Sequence, residues 1–447
     1  MYLFIHRKDL RTADMRAFDY LKKQDMPGIH LLIIDPRLTG GSRLSSHSGR
    51  NFMAQAASLL QSYSNADKEL HVLYGEPKPI VEALLQAHPI EEVVVHADYT
   101  PYARERDGQL QQVTRRLGRR WMPIADAPLA DMEAFPAFAR RTEPYKVFTP
   151  FYRMWSSYMQ QCYSPMSHIT IQELSTLHEL SSSIAQQFAL PDSVSSALGE
   201  TNVEGTPKSL NKLERFIRER LASYDDSRDA YAKNHTSNLS RFLNTGAISS
   251  RYAFEQTQGL PGSEAWHRQL AWRDFYLYQA MYHEDFFRYE HLTDMSALSD
   301  AHLESWKTAA TGIPIIDAAM TQLNRTGELP NRLRMVVAMF LTKNLLCPFT
   351  LGEEHFRHHL SDYDNTLNRG GWLWCSSLGY DAAPYFRIMN PATQSQTHDP
   401  SGSYIRRWLP HLAPLSDKEI HLPQSGAIVD LKASRARAIE VYKTILK

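Results

Sequence analysis

The sequence contains a run of hydroxyl and amide side chains, Thr236-Ser-Asn-Leu-Ser240, whose chemistry suits an anionic ligand. Hydroxyl groups and backbone N–H groups together can hold the oxygens of a pyrophosphate. The same residue types are typical of the cap that begins a helix. The run alone therefore leaves a phosphate cradle and an ordinary helix start open.

Two other groups of residues have spacings that could support chemistry. His355, His358 and His359 have the helical spacing of zinc ligands, but we predict no metal site there. The sequence has no G-x-G-x-x-G loop after its first apolar run and no Walker A motif, which disfavours a dinucleotide dehydrogenase and a P-loop enzyme.

Tryptophan is unevenly distributed along the chain. Helix packing is one explanation, and the residues that flank each tryptophan decide between packing and a functional role. Six of the eight tryptophans follow residue 260: Trp266, Trp272, Trp306, Trp372, Trp374 and Trp408.

The first 125 residues alternate between short apolar runs and helical patterns, which predicts a parallel sheet with helices on both faces. Ligands of such sheets usually bind at the carboxyl ends of the strands. The predicted strands are Tyr2–Ile5, Ile29–Ile34, Leu70–Tyr74, Glu92–His96 and Trp121–Ile124, and the predicted helices are Ala13–Lys23, Gly49–Tyr63, Pro79–Ala87 and Ala103–Arg119.

The pattern weakens after this region and then becomes helical throughout. Polar stretches at Ser181–Ser183 and Ser193–Thr201 are typical of a connection between domains. Amphipathic helices without strands follow from Ser209. We therefore predict an α/β domain over 1–128, a connecting segment over 129–205 and an all-helical domain over 206–447.

Composition excludes several classes of protein. The 447 residues carry 49 Lys and Arg against 49 Asp and Glu, so any DNA binding must use a local basic patch. No apolar run is long enough to span a bilayer, and the charged N-terminus is not a secretory signal, so we expect no membrane partner. Three scattered cysteines cannot form a disulfide framework, which favours a reducing, cytoplasmic location.

Seven motifs, in the same order along nearly the whole chain, give the sequence a clear resemblance. They are Arg7–Arg11, Lys146–Tyr152, Leu270–Tyr276, Thr311–Met320, Asn331–Met335, Asn368–Pro391 and Tyr404–Pro410. The sequence resembles the photolyase/cryptochrome flavoproteins, and most of all the photolyases that act on cyclobutane pyrimidine dimers. This resemblance implies a Rossmann-like parallel-sheet antenna domain followed by an all-α FAD-binding domain, in a monomer.

The resemblance implies FAD as the cofactor and assigns a set of residues to its binding. One departure is Asn238, because the family usually has arginine within this run. Asn368 matches the position that faces N5 of the flavin, where photolyases generally have asparagine. The implied FAD contacts are Tyr224, Thr236, Ser237, Asn238, Leu239, Ser240, Arg273, Arg334, Asp362, Asp364 and Asn368.

The resemblance also implies a substrate cavity for DNA that contains a pyrimidine dimer. Trp272 and Trp374 match the two tryptophans that flank the extruded dimer. Gln269 stands where the family has a glutamate that stabilises the dimer radical anion, and Pro330 stands where it has a histidine. The remaining implied positions are Asn331 and Met335 beneath the lesion and Arg228, Arg332 and Arg387 near the DNA backbone.

The function implied is that of a deoxyribodipyrimidine photo-lyase, a carbon–carbon lyase that splits the dimer with an electron from photoexcited reduced FAD. The alternative is a blue-light photoreceptor of the cryptochrome type with little or no repair activity. Folate is doubtful as a second, antenna chromophore, because the Asn–Glu pair that contacts it is absent from Asp98–Asp107. The identity of any antenna stays open.

Most of the family reduces oxidised FAD through three tryptophans. Trp372 matches the first, but the second position falls on Phe349 and the third near Ser296, so the usual chain is broken. We expect photoreduction to be slow or to use another route, through Trp374 or through a tyrosine. The candidate tyrosines are Tyr363 and Tyr380.

Overall fold

A computed structural model describes residues 1–175, 179–199 and 206–446. Five parallel strands form one sheet in the order β3-β2-β1-β4-β5. The predicted parallel sheet is therefore confirmed, and every predicted strand is present with ends shifted by one residue at most. The strands are β1 (Tyr2–His6), β2 (Gly28–Ile34), β3 (His71–Tyr74), β4 (Glu92–His96) and β5 (Arg120–Ile124).

The sheet forms because its central strands are apolar on both faces. All residues of β1 and β4 are buried, as is usual for parallel strands that helices cover on both sides. Phe4 and Leu32 belong to one apolar cluster, whereas Leu3 and Leu31 belong to another. Successive side chains of a strand therefore supply two cores, one on each face.

Helices account for the regular structure that follows the sheet, and no strand follows Ile124 within the described ranges. This agrees with the predicted all-helical second half. A π-helical turn, Phe340–Asn344, directly follows the helix Asn331–Met339. The helices are α1 (Arg16–Gln24), α2 (Pro36–Thr39), α3 (His47–Asn65), α4 (Pro77–Ala87), α5 (Pro101–Arg116), α6 (Phe135–Phe138), α7 (Phe148–Gln161), α8 (Ser182–Gln187), α9 (Asp192–Gly199), α10 (Thr206–Glu219), α11 (Tyr224–Ser227), α12 (Ser240–Thr245), α13 (Ser250–Glu255), α14 (Ser263–Tyr282), α15 (Leu303–Lys307), α16 (Pro314–Thr326), α17 (Asn331–Met339), α18 (Phe349–His359), α19 (Asn365–Cys375), α20 (Pro391–His398), α21 (Ser403–Trp408) and α22 (Leu431–Ile445).

The polar stretches after residue 180 are more ordered than predicted. Their serines suggested irregular structure, but α8 and α9 form there. Val194 is buried, and Ala197 and Leu198 pack against the cluster that contains Leu59 of α3. A few well-placed apolar residues therefore outweigh the polar composition. The end of the predicted connection, residues 200–205, lies outside the described residues.

The chain folds into two compact units that alternate along the sequence. The first unit comprises Met1–Pro144, Tyr152–Leu221 and Ser237–Tyr278, and the second comprises Tyr145–Phe151, Ala222–Thr236 and Gln279–Lys447. The domain boundaries at residues 128 and 205 stay predictions. In the part of the chain that the structure describes, no helix is both long and apolar enough to cross a membrane.

A buried carboxylate, Asp274 of α14, organises part of the first unit. It accepts hydrogen bonds from the backbone N–H groups of Leu129 and Ala130, both at 2.9 Å, and from Nε1 of Trp155 at 2.9 Å. Burial raises the pKa of Asp274 to about 6, while the N–H donors act in the opposite direction. One side chain therefore fixes a loop and an aromatic residue against α14.

Candidate functional site

In the second unit, α19 carries three of the predicted site residues, and Asp364 begins this helix. The Asp364 carboxylate accepts from the backbone N–H groups of Thr366 (2.9 Å) and Leu367 (3.0 Å). Asp364 therefore caps the helix, and the same carboxylate would also have to make the predicted contact with FAD. The cap fixes the first turn of the helix, from which Asn368 projects.

Asn368 is held by the neighbouring helix. Its Nδ2 donates to the backbone carbonyl of Glu353 in α18 at 3.2 Å, and the side chain is largely buried. Its Oδ1 makes no hydrogen bond within the described ranges. The carboxamide is therefore oriented from one side and can accept a hydrogen bond on the other.

An arginine between two carboxylates lies directly beside Asn368. Arg369 contacts Glu290 at 2.6 Å and Glu353 at 2.8 Å, and its guanidinium carbon lies 5.4 Å from the centre of the Phe349 ring. Burial raises the pKa of Glu353 to about 7, and Glu290 also raises it, whereas Arg369 lowers it. Glu353 is therefore partly protonated near neutral pH.

This shift predicts a pH-dependent contribution to stability. The folded protein binds more protons than the unfolded chain between pH 4.5 and about 7, so the contribution of Glu353 decreases as pH rises. We therefore expect the free energy of unfolding of Glu353→Gln, relative to that of the unmodified protein, to increase as pH rises across this interval, by up to about 3 kcal/mol. Urea unfolding at a series of pH values measures the difference. Glu354→Gln, at the exposed neighbouring position, is the control and should show no such gain; a constant difference for Glu353→Gln would contradict the prediction.

Arg334 and Asp362 also lie together in the second unit. NH2 of Arg334 donates to both oxygens of Asp362, at 2.9 and 3.0 Å, and its Nε donates to the Leu329 carbonyl at 2.8 Å. The Asp362 side chain is 7 % exposed and that of Arg334 is 28 % exposed. The arginine therefore keeps an accessible edge while the carboxylate neutralises its charge.

The tryptophans of the second half divide by exposure. Trp266, Trp306 and Trp372 are buried, whereas Trp272 of the first unit and Trp374 and Trp408 of the second are partly exposed. Trp372 contacts Phe356 (ring centres 5.0 Å apart) and Trp306 (6.2 Å). Helix packing thus explains the buried set, and the partly exposed rings need another explanation.

The predicted residues below the lesion and near DNA lie on the surface of the second unit. Asn331 is exposed and begins α17 directly after Pro330, so this proline does not interrupt a helix. Arg332 contacts Asp229 at 2.5 Å, and Arg387 is exposed without an ion pair in the described part of the chain. The other members of this set are Met335, partly exposed on α17, and Arg228, 3.5 Å from Asp225.

Other predicted residues belong to the first unit. Arg273 donates to the carbonyls of Ala127 (3.0 Å) and Leu243 (3.3 Å). Gln269 donates to the Ala265 carbonyl of its own helix at 3.3 Å, which leaves its oxygen as a potential acceptor. Both lie on α14 with Trp272, so the spacing in the sequence places them on one element.

The hydroxyl run contains a left-handed residue. Asn238 has a φ of 54°, which asparagine tolerates better than most residues, and this is a local reason for asparagine at this position. Ser237 is partly exposed, Leu239 is buried, and Ser240 is exposed at the start of α12. In the second unit, Thr236 is partly exposed and Tyr224, which begins α11, is buried.

The three spaced histidines make separate local contacts. Nε2 of His355 pairs with Asn324 at 3.1 Å, and Nε2 of His358 pairs with Glu354 at 2.8 Å. Nδ1 of His359 donates to the His355 carbonyl at 2.9 Å. In the described ranges no group of three or more His, Cys, Asp or Glu residues is arranged to hold a metal.

The residues of the second unit fit a large polar cofactor. Nε1 of Trp372 and Nδ1 of His235 are buried and have no hydrogen-bond partner within the described ranges. Such orphaned atoms indicate a place that a bound group or water completes. The oriented carboxamide of Asn368 and the accessible guanidinium of Arg334 add an acceptor and donors of the kind that a flavin nucleotide needs.

Comparisons with known proteins agree with this chemistry. Residues 266–445 match the FAD binding domain of DNA photolyase, so the second half contains an FAD-binding domain and FAD is its cofactor. Residues 2–169 match the DNA photolyase domain. A deoxyribodipyrimidine photo-lyase from Alkalihalophilus pseudofirmus is 32% identical over 431 residues, 93% of this chain and 88% of the relative. The chain belongs to the DNA photolyase family.

Solved structures share the fold. A class III photolyase from Agrobacterium tumefaciens has a TM-score of 0.84 at 27% identity, over 100% of this chain and 97% of the other. An archaeal photolyase from Sulfolobus tokodaii with two FAD molecules has a TM-score of 0.84 at 26% identity, over 99% of both chains. A cryptochrome from Synechocystis has a TM-score of 0.85 at 22% identity, over 100% and 99%, which shows similarity of fold alone.

Several residues around the site could not be found from the sequence. Glu353 contacts Asn368 and Trp306 contacts Trp372, in both cases through pairings between helices. Phe386, next to Arg387, is 56% exposed. Its position within the matched motif Asn368–Pro391 is the one signal that could have drawn attention to it.

Proposed function

We propose that the protein repairs cyclobutane pyrimidine dimers in DNA in light, as a deoxyribodipyrimidine photo-lyase. The observation that carries the proposal is the partial exposure of Trp272 and Trp374 while Trp266, Trp306 and Trp372 are buried. Exposed aromatic faces stack on unpaired bases, and a damaged pair costs less to extrude than an intact one. The similarity to a photo-lyase over 93% of the chain supports the same activity.

Reduced FAD, when bound, supplies an electron to the dimer after it absorbs blue light. The chain would bind the cofactor through Arg334, Asp362 and Asn368, together with the Thr236–Ser240 run and the other matched contacts. Asn368 is a neutral amide that can accept or donate a hydrogen bond but offers no ready proton. It therefore suits a site that keeps the reduced flavin anionic.

In the second unit, DNA would bind through an exposed loop and the partly exposed Trp374. Arg387 is free to contact a phosphate, and Phe386 is exposed beside it. Apolar wedges of this kind occupy the space that an extruded base leaves in the stack. Arg332 and Arg228 would have to exchange their contacts with aspartate for contacts with phosphate.

Repair itself is the test of this proposal. The FAD of the purified protein is reduced chemically, an oligonucleotide with one thymine dimer is added, and the mixture is illuminated with near-UV or blue light. We expect dimer loss in light and none in darkness. Absence of repair with bound, reduced FAD would reject the proposal and favour the alternative, a cryptochrome-type photoreceptor, which Gln269 and Phe349 also support.

Gln269 is expected to limit the repair rate. Glutamate at this position supplies an acidic O–H that an amide lacks, and one such hydrogen bond is worth about 1 kcal/mol, which corresponds to about fivefold in rate. We expect Gln269→Glu to raise the light-dependent repair rate by several-fold at saturating DNA. Gln256→Glu, at an exposed position, is the control for the added charge. Equal rates for both variants would show that Gln269 does not act on the dimer.

Trp306 is a further candidate in photoreduction, since it is a neighbour of Trp372. We propose that it returns an electron to Trp372 after Trp372 reduces oxidised FAD under blue light, with an added thiol as the net donor. Trp306→Phe should then slow the loss of oxidised-flavin absorbance under blue light. Trp266→Phe, which replaces another buried tryptophan, should not slow it. An unchanged rate of this loss in Trp306→Phe would favour the routes through Trp374, Tyr363 or Tyr380.

An antenna chromophore remains part of the proposal without a chemical identity. The Sulfolobus tokodaii photolyase holds two FAD molecules, which implies a novel light-harvesting cofactor in that protein. Folate remains disfavoured, because the Asn–Glu pair is absent from Asp98–Asp107. Release and chromatography of all bound chromophores from the purified protein would identify a second one.

A further inference from the structure

The helix α22 presents a basic face to solvent. Lys432, Arg435 and Lys443 are exposed, and none of them forms an ion pair in the described ranges. Lys432 and Lys443 are about three turns apart and so lie on one side of the helix, with Arg435 one turn beyond Lys432. Glu440 is the one exposed acidic residue of this helix. The local charge is thus positive in a chain whose net charge is zero.

The opposite face of α22 is held firmly by the second unit. Nζ of the buried Lys343 lies 3.1 Å from the centre of the Tyr442 ring, and Tyr442 donates to the Thr342 carbonyl at 3.2 Å. Nδ2 of Asn344 donates to Ser434 at 2.9 Å. These contacts fix the rotation of the helix, so its basic residues form a fixed surface.

The loop that carries Phe386 and Arg387 packs against the same helix, α22. Tyr385 and Ile388, on either side of these two residues, pack against a core cluster that includes Ala438 and Tyr442 of α22. The loop and the helix are therefore parts of one packed region in the second unit. A partner that contacts Arg387 has the basic helix next to it.

We propose that the basic face of α22 binds the phosphate backbone of DNA outside the lesion. The inference rests on the proposed function, because Arg387 is assigned to DNA there. Lys432 and Lys443 are about 16 Å apart along the axis, a span of about five phosphates of one strand. Exposed lysine and arginine without acidic partners are the residues that release counterions when they bind DNA. The surface would raise affinity for duplex DNA without regard to sequence.

The test measures the salt dependence of binding. Fluorescence anisotropy gives the affinity of the FAD-loaded protein for an undamaged duplex of about 20 base pairs at several salt concentrations. The test variant replaces Lys432, Arg435 and Lys443 with glutamine. The logarithm of affinity against the logarithm of salt should become less steep by about 2 to 3, since each lost phosphate contact contributes about 0.9.

A matched variant controls for net charge. The control replaces Lys23, Lys78 and Arg115, which are exposed in the first unit, with glutamine. It removes the same charge as the test variant and should leave the salt dependence of affinity unchanged. The proposal would be overturned if the test variant had the same salt dependence as the unmodified protein, or if the salt dependence decreased equally in both variants. Repair of a short single-stranded oligonucleotide with a central dimer tests the proposed function separately. That repair should be unaffected by the α22 substitutions.

Discussion

Replacing Asp274 with alanine is expected to lower the free energy of unfolding by about 3–5 kcal/mol. The substitution leaves the N–H groups of Leu129 and Ala130 and the indole N–H of Trp155 without their acceptor. A buried donor without a partner costs about 1–3 kcal/mol. Water could reach such a site only after local opening, because Asp274 is 1 % exposed.

Urea unfolding followed by circular dichroism measures this loss, and two further variants make the result specific. Trp155→Phe removes one of the three donors and should cost about 1 kcal/mol, mainly the lost hydrogen bond. Glu264→Ala, at an exposed position in the same helix, should change stability by less than about 0.5 kcal/mol. A loss for Asp274→Ala no larger than for Glu264→Ala would show that the three hydrogen bonds do not stabilise the fold.

The sequence was sufficient for the sheet because the physical signal is local. Runs such as Leu31–Ile34 and Val93–Val95 have no polar position, which is typical of a strand buried on both faces. The helix α9 was missed for the opposite reason. Its single buried apolar residue, Val194, is surrounded by serines, and its stability comes from packing against α3, which lies far away in the sequence.

The candidate site also contains some residues that a local motif identifies and others that only tertiary packing brings there. The resemblance assigned Asn368, Trp372 and Trp374 to the site, and the structure places all three on α19, a helix that the hydrophobic pattern did not predict. The residues that orient them come from other helices. Glu353 and Trp306 are related to Asn368 and Trp372 by tertiary packing, which no single-sequence periodicity records. Asn238 differed from the expected arginine, and only the backbone angle supplied a physical reason.

Replacing Trp374 with alanine is expected to weaken binding of dimer-containing DNA by about 5- to 150-fold. Stacking of a base on an aromatic ring is worth about 1–3 kcal/mol, and alanine removes all of it. Trp374 is partly exposed at the end of α19, so its ring can face an extruded base, whereas Trp372, two residues earlier, is buried. Light-dependent repair at low DNA concentration should fall by a similar factor.

The measurement compares affinity for an oligonucleotide with one thymine dimer and for the same sequence without it. Trp374→Ala should lose the preference for the dimer and keep its affinity for undamaged DNA. Trp408→Ala removes another partly exposed tryptophan of the second unit and should retain the preference. Trp374→Phe keeps an aromatic face and should recover much of the binding, because stacking tolerates a change of ring. If Trp374→Ala keeps the full preference for the dimer, Trp374 does not contact the lesion. That result would strengthen the cryptochrome alternative.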